Sequence, residues 1–347
     1  MRTPTALALR AIASTAVAGC SKTDTPEGAP ATGSEVDVAI EHIDLGPARP
    51  YPERGKVELL HPEVDFERWS SLFPLRSFVD SDAADGELDL SEVDGSIITG
   101  PNELCEIELV RRAYAERTGL GTPVPVDIFV WSVDPPARPF LTKLGGVPHR
   151  EADEPWPTFG ETPATFVGQF CFADSSAIVS KRLPGDVMLV FFKDDTSYWE
   201  EDGVQLEWSS LELADPITEA DCPKPGFHVP SLSGHIHRTH AFPDAWELFY
   251  EAGHGQSFYF AASQSTKIGR ETFFIQHDPR WPGGSKERFC ALSSVHPRRY
   301  PPGAKWPFIG AETMPDDGPW KWMMGDVGCM YFLIDRRGRI SIELDCY

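Results

Sequence analysis

The residues best suited to chemistry are histidines that lie close together in the chain, namely His228, His235, His237 and His240. Neutral imidazoles are good ligands for zinc and copper, and Asp244 or Glu247 could add a carboxylate. In an extended segment alternate side chains share a face, so His235 and His237 would point the same way. The spacing allows a zinc or copper site formed by His235, His237 and His240. The competing interpretation is a polar loop of solvated histidines.

The remaining sequence has no familiar catalytic signature. It lacks the Gly-x-Ser-x-Gly nucleophile turn, the His-Glu-x-x-His zinc motif and the Gly-x-x-x-x-Gly-Lys-Ser/Thr phosphate loop. Carboxylates are so abundant, with 53 Asp and Glu residues, that any proposed acid–base pair would be uninformative. The sequence therefore favours a protein that is not an enzyme and has no cofactor. A metal-dependent hydrolase that uses the histidine segment is the alternative.

The charge of the chain limits the kinds of partner. The net charge is −22, which would repel the phosphates of nucleic acid and the anionic surface of a membrane. Such a charge promotes solubility, and it also suits an acidic face that binds a cationic protein. We therefore expect no nucleic-acid partner.

The first 20 residues have the features of a targeting segment. Arg2 and Arg10 supply positive charge, residues 11–18 are apolar or small, and Val17-Ala18-Gly19-Cys20 follows. This segment resembles a bacterial lipoprotein signal, which implies that Cys20 is acylated. We expect residues 1–19 to be a signal peptide and residues 20–50, poor in large apolar side chains, to be a disordered tether. The protein would then be lipid-anchored at the cell envelope, facing the periplasm or the cell exterior.

Two parts of the chain share an outline, which predicts an internal duplication. The matching motifs are Lys143-Leu144-Gly145 with Lys267-Ile268-Gly269, Trp156-Pro157 with Trp281-Pro282, and Gly185-Asp186-Val187 with Gly325-Asp326-Val327. We assign residues 124–213 to the first repeat and 214–347 to the second. Residues 51–123 form a mixed segment that packs on them.

Apolar and β-branched runs outnumber helical patterns. Residues 124–131, 164–172 and 186–193 have the character of buried strands, whereas residues 214–241 have the composition of a long loop. Helical spacing is found at residues 103–118 and after Pro243. We therefore predict a β-rich α+β fold, with antiparallel or mixed sheets from the duplication and a few short helices. The two repeats should share one core that includes Phe191, Phe192, Tyr331 and Phe332.

The same motifs, from Leu144-Gly145-Gly146-Val147-Pro148 to Gly325-Asp326-Val327-Gly328 with Tyr331-Phe332, resemble the YwqG-like bacterial proteins, a family of unknown function. The resemblance implies a duplicated, β-rich α+β fold and no established activity. Seven residues of these motifs could be architectural or could line a cleft: Gly145, Gly146, Trp156, Gln169, Asp186, Gln276 and Asp326.

The anchor, the tether and the lack of a catalytic motif predict a non-catalytic binding or interaction module, of which immunity proteins are one type. Its partners would be the membrane, through the lipid, and a protein.

The anchor is tested by Cys20→Ser. The substitution should release the protein into the soluble fraction, because each lost acyl chain removes about 0.8 kcal/mol of membrane affinity per buried CH₂ group. Fractionation of cells, followed by detection of the protein, measures the outcome. A variant that stays with the membrane would show that Cys20 is not the point of attachment.

Overall fold

The computed structural model describes residues 58–63, 124–179, 182–200, 202–241, 265–270, 286–295, 321–325 and 328–346. Of these residues, 44% lie in strands and 4% in helical turns, which are Ser197–Trp199 and Glu219–Asp221. The predicted α+β class is wrong, because the described chain forms a curled antiparallel half-barrel. Both helices predicted from the sequence, at residues 103–118 and after Pro243, lie outside the described residues. No helix within the described ranges could span a membrane.

Ten of the twelve strands in the described residues form one sheet. The strands are β1 Val124–Ser132, β2 Lys143–Leu144, β3 Thr158–Phe159, β4 Thr162–Pro163, β5 Thr165–Cys171, β6 Val187–Phe192, β7 Val204–Ser209, β8 Leu232–Ala241, β9 Lys267–Gly269, β10 Glu287–Ser293, β11 Cys329–Ile334 and β12 Ile340–Asp345. Their order in the sheet is β12-β11-β10-β9-β1-β8-β2-β5-β6-β7, and every neighbouring pair is antiparallel. Strands β3 and β4 form a separate small hairpin.

The strand order is symmetric about the central pair of β1 and β8. On one side of this pair β8 is followed by β2, β5, β6 and β7, and on the other side β1 is followed by β9, β10, β11 and β12. By sequence, β1 belongs to the first repeat and β8 to the second. The half that contains β2, β5, β6 and β7 is therefore joined to β8 from residues 214–347, and the half that contains β9 to β12 is joined to β1 from residues 124–213. This arrangement links the two halves of the sheet through one continuous ladder.

The hydrogen-bond register repeats in the same way. Strand β5 is irregular between Phe166 and Gly168 where it meets β6, and β10 is irregular between Arg288 and Cys290 where it meets β11. Bulges at corresponding positions mark corresponding strands, because a bulge fixes the local twist and register. The residues opposite the two lysines also correspond, since Gln169 lies opposite Lys143 and Ala291 lies opposite Lys267.

A threonine before each lysine makes the same contacts in both halves. The Thr142 hydroxyl accepts a hydrogen bond from the Cys171 amide at 3.0 Å, and the Thr266 hydroxyl accepts one from the Ser293 amide at 3.1 Å. The carbonyls of these two threonines each accept at 2.9 Å, from the amides of Gly234 and Phe129 respectively. The repeated unit is therefore Thr-Lys-x-Gly, one residue longer than the motif seen in the sequence.

One detail of the predicted alignment is wrong. The sequence motifs align Val187–Phe192 with residues 327–332, but the register pairs Phe191 with Phe166 and Leu333 with Arg288, at the corresponding bulges. Val187–Phe192 therefore corresponds to Cys329–Ile334, two residues further on. Because side chains of a strand alternate, a two-residue shift keeps every side chain on its predicted face.

The concave face of the sheet holds a single apolar core built by both halves. Aromatic rings of the two halves meet there, with centroid distances of 6.0 Å for Phe170–Phe332, 5.8 Å for Phe172–Phe289 and 6.2 Å for Phe192–Trp322. The prediction of a shared core is confirmed for Phe192 and Phe332, which are fully buried. Phe191 and Tyr331 are equally buried but lie on the convex face, in two smaller clusters.

Candidate functional site

The convex face of the first half carries buried polar side chains. In β2, Leu144 belongs to the concave core, so its neighbour Lys143 points to the convex side. There Lys143 lies beside Gln169 of β5 and opposite Ser233 of β8. His149 follows on the loop after β2. We call Lys143, His149, Gln169 and the nearby Cys222 the lysine site.

Gln169 holds the loop segments of this site in place. Its side-chain amide donates to the carbonyls of Pro139 at 2.8 Å and Leu141 at 2.9 Å, and its oxygen accepts from the His149 amide at 3.0 Å. A buried amide is tolerated only when its donors and acceptor are paired, as they are here. Gln169 is therefore architectural, in agreement with one of the two roles considered from the sequence.

Lys143 is 6% exposed, and its amine has few hydrogen-bond acceptors nearby among the described residues. Within the described chain, Nζ donates one hydrogen bond, at 3.0 Å to the Pro139 carbonyl, which Gln169 also uses. A charged ammonium carries three N–H groups and loses its hydration in such a place. Burial accordingly lowers the pKa of Lys143 to about 8, with a small opposing contribution from Cys222.

His149, 5% exposed, presents an unusual imidazole. Its Nε2 lies 3.0 Å from the Ser210 carbonyl, which can only accept, so Nε2 carries the proton. Nδ1 is then a lone-pair acceptor, and it is buried without a hydrogen-bond partner among the described residues. Burial lowers the pKa of His149, and the charge of Lys143 lowers it further. The two side chains are thus electrostatically coupled, and both favour the neutral form.

Cys222 completes the site from the turn that follows Glu219–Asp221. Its Sγ donates to the Thr218 carbonyl at 3.3 Å, and its thiol interacts electrostatically with Lys143. Burial raises the pKa of this thiol, which keeps it protonated. Cys222 is one of five described cysteines, all of them free thiols.

Trp156 plugs the convex side next to the lysine site. Its Nε1 donates to the Ala164 carbonyl at 2.8 Å, and its ring meets Phe191 edge-on at 5.5 Å. The Arg150 guanidinium lies 5.3 Å from the Trp156 ring centroid and pairs with Glu207 at 3.0 Å. Trp156 therefore has the structural role of an aromatic plug, which was one of its two predicted roles.

The two glycines of the motif are needed for backbone shape. Gly145 has φ 53° and Gly146 has φ 69°, a region that favours glycine. A Cβ added to Gly145 would lie 2.6 Å from the Pro230 carbonyl oxygen. Both positions are therefore architectural.

Asp186 contributes to the structure through its backbone. Its backbone accepts from the Phe172 amide at 2.9 Å and donates to the Ser209 carbonyl at 3.1 Å, whereas its exposed side chain forms no hydrogen bond with the described residues. Gln276, Asp326 and Cys20 lie outside the described residues.

Three of the four histidines, His235, His237 and His240, lie on a strand instead of the predicted loop, since residues 232–241 form β8, whereas His228 lies before it. His235 and His237 face the convex side, opposite Val130 and Ile128, whereas His240 faces the other way with Arg238. The three side chains therefore do not converge. Across the described ranges, no group of three or more His, Cys, Asp or Glu side chains is arranged to hold a metal ion.

A second polar group lies on the concave side and is structural. His61 Nδ1 contacts Asp174 at 2.7 Å, while its Nε2 accepts from the Thr142 amide at 3.0 Å. Such an Asp–His pair is typical of hydrolases, but here no ring nitrogen is left for a nucleophile. The pair instead fastens residues 58–63 to the sheet beside β8.

The burial of Lys143 predicts a pH dependence of stability. The lysine loses its proton near pH 8 when folded and near 10.5 when unfolded, so the unfolded state binds more protons in that interval. The free energy of unfolding should therefore rise with pH by up to about 3 kcal/mol from this group. Denaturant unfolding of the natural protein and of Lys143→Met across this range isolates the effect, because the variant lacks it. A stability difference between the two that does not change with pH would contradict the buried, deprotonating amine.

Sequence reasoning missed the lysine site because its members are far apart in the chain. The one available signal was a lysine between Thr142 and Leu144 in a segment otherwise suited to a buried strand.

No curated protein matches the chain. A family model described as "Domain of unknown function (DUF1963)" matches residues 142–338, from the threonine of the first Thr-Lys-x-Gly unit to the turn after β11. More than half of the chain is covered by this match, and the chain therefore belongs to the DUF1963 family.

Proposed function

We propose that this protein is a non-catalytic binding module that docks a cationic protein partner. Support comes from the acidic edge, which we define as the exposed carboxylates at the two ends of β7: Asp195, Glu200, Asp202, Glu212, Asp215, Glu219 and Asp221. Strand β7 is the last strand at one end of the sheet order. This concentration of negative charge at a sheet border is the observation that carries the proposal.

Few positive charges offset the acidic edge. From residue 193 to residue 224 the basic residues are Lys193 and Lys224, and Lys193 pairs with Glu200 at 3.1 Å. Like charges at a surface repel one another, and a cationic partner removes that repulsion when it binds. It would also be steered towards this edge, with an association rate that falls as salt is added.

An aromatic side chain lies within the acidic edge. Trp199, at 37% exposure, is the exposed large hydrophobic residue among those described. Exposed tryptophans surrounded by polar groups are frequent anchors of protein interfaces, because they bury a large area at small entropic cost. The edge thus combines charge for steering with an apolar contact.

The proposal places the module at the cell envelope. A lipid on Cys20 and a flexible tether over residues 20–50 would let the domain reach partners near the membrane surface. This arrangement suits an interaction protein of the immunity type, in which binding alone neutralises a basic partner.

The acidic edge is tested by reversing its charge. Co-purification from a mild detergent extract identifies the partner, and titration at two salt concentrations measures its Kd. The triple variant Asp195→Lys, Asp202→Lys, Glu212→Lys should weaken binding at least about tenfold, because like charges then oppose each other across the interface. None of these three side chains forms a hydrogen bond or ion pair among the described residues, so the fold should be retained.

A matched control reverses two exposed carboxylates elsewhere, Glu58→Lys and Asp134→Lys, and it is compared with the double variant Asp195→Lys, Asp202→Lys of the acidic edge. The control changes the net charge equally, so it should leave the Kd within about twofold. An equal increase of the Kd in both variants would mean that binding depends on the net charge of the protein and not on this edge. Unchanged binding by the acidic-edge variant would refute this docking face.

A further inference from the structure

We propose that Lys143 is an imine-forming amine that captures a small uncharged aldehyde, with His149 as the proton carrier. This inference does not depend on partner binding at the acidic edge, although one turn contributes Glu219 and Asp221 to that edge and Cys222 to the lysine site. It assigns a ligand class to a cluster of buried groups that the proposed docking function does not use.

The first requirement is an amine lone pair, and the surroundings of Lys143 favour one. The side chain is 6% exposed and donates a single hydrogen bond, to Pro139. A neutral amine needs no more than this in a place where an ammonium would leave two N–H groups without acceptors. Burial is also why its pKa falls to about 8, so a substantial fraction is nucleophilic near neutral pH.

The second requirement is a base that can move a proton, and His149 supplies it. Its Nε2 is committed to the Ser210 carbonyl, which leaves the buried Nδ1 lone pair without a hydrogen-bond partner among the described residues. An unsatisfied acceptor in a buried position has a cost, and structures retain such groups mainly where they serve a purpose. Both side chains lie against the same loop, because Lys143 Nζ donates to the Pro139 carbonyl and the His149 ring lies 5.8 Å from the ring of Phe140, the next residue.

The groups around Lys143 define the ligand. The titratable and charged side chains on the surrounding segments are His149, Arg150, Glu151, Glu207, Asp221 and Cys222. The positive charge among them, Arg150, is already paired with Glu207 and donates to the carbonyls of Glu154 and Pro155. Because the buried cation is paired, whereas Arg138 is exposed and lies over the Phe140 ring, the buried part of the site suits an uncharged aldehyde of a few carbon atoms.

Access is provided by the turn that carries Cys222. Residues 218–221 of this turn are exposed, and it is attached through contacts such as those of Glu151 with the amides of Ala214 and Asp215, each at 2.8 Å. Segments with few buried apolar contacts open locally at low free-energy cost. A small molecule could therefore reach Lys143 without disturbing the sheet.

The chemistry needs no added oxidant or reductant. The Nζ lone pair forms a C–N bond to the aldehyde carbon while the carbonyl π bond breaks, and His149 Nδ1 carries one of the two amine protons to the oxygen to give a carbinolamine. The nitrogen lone pair then forms the C=N bond as the hydroxyl group leaves, and Nδ1 carries the second amine proton to that group, which departs as water. The net reaction converts one amine and one aldehyde into one imine and one water molecule.

The test uses the natural full-length chain with acetaldehyde and sodium cyanoborohydride, which reduces an imine to a stable ethylamine. Peptide mass spectrometry follows each lysine as a function of pH. At about pH 8, Lys143 should be modified at least ten times faster than Lys193, whose pKa is raised by its hydrogen bond to Glu200. The rate at Lys143 should level off above about pH 8, whereas the rate at Lys193 should keep rising.

A His149→Gln variant tests the proton carrier. The variant keeps the backbone amide of residue 149, which donates a hydrogen bond to the Gln169 side-chain oxygen. It should slow the modification of Lys143 at least about threefold without moving the midpoint of the pH profile, and it should leave the modification of Lys193 unchanged. An equal rate in this variant would remove His149 from the proposal. If Lys143 stays unmodified while Lys193 reacts, or if both react with the same pH profile, the imine-forming site is refuted. Neither result bears on partner binding at the acidic edge.

Discussion

The ladder between β1 and β8 is the interaction on which the rest of the structure depends. Nine residue pairs, from Val124–Ala241 to Ser132–Ser233, join a strand of the first repeat to a strand of the second. Because each strand then continues the sheet of the other repeat, neither half has a complete sheet without its neighbour. The curl of the sheet brings the concave faces together, and Phe170, Phe289 and Phe332 pack across the junction. Most of the burial that stabilises the domain is thus available only to the joined halves.

The two convex faces have diverged on this common framework. The register makes Phe166 of β5 equivalent to Arg288 of β10, and Leu189 of β6 equivalent to Tyr331 of β11. In the first half these positions are apolar, whereas in the second half the Arg288 guanidinium lies 5.6 Å from the centre of the Tyr331 ring. Each half also keeps its buried lysine. The lysine site belongs to one half because Gln169 has no counterpart opposite Lys267, where Ala291 stands.

Much of the sheet could be predicted from the sequence, because buried strands leave continuous apolar runs. The runs at residues 124–131, 164–172 and 186–193 correspond to β1, β5 and β6. Strand β8 was missed because its convex side chains are Ser and His while its concave side includes Gly234, so that its composition is that of a loop. The α+β class was wrong because the described residues form a half-barrel of strands, and both sequence patterns that predicted helices lie outside those residues. The lysine site was missed for another reason. Burial of Lys143 depends on loops that are held in place by hydrogen bonds to the side chains of Gln169 and Glu151. Such contacts between residues far apart in the chain leave no local sequence pattern.

Native-state hydrogen exchange tests the central claim, that exchanged strands and a shared core make the two halves one cooperative unit. Amides of β6, far out in one half, and of β11, far out in the other, should exchange with the same free energy, equal to that of global unfolding measured by denaturant. Amides of β1 and β8 should give that value too. If β11 exchanged through an opening several kcal/mol below the value for β6, the halves would unfold separately, and the account of an interdependent sheet would be contradicted.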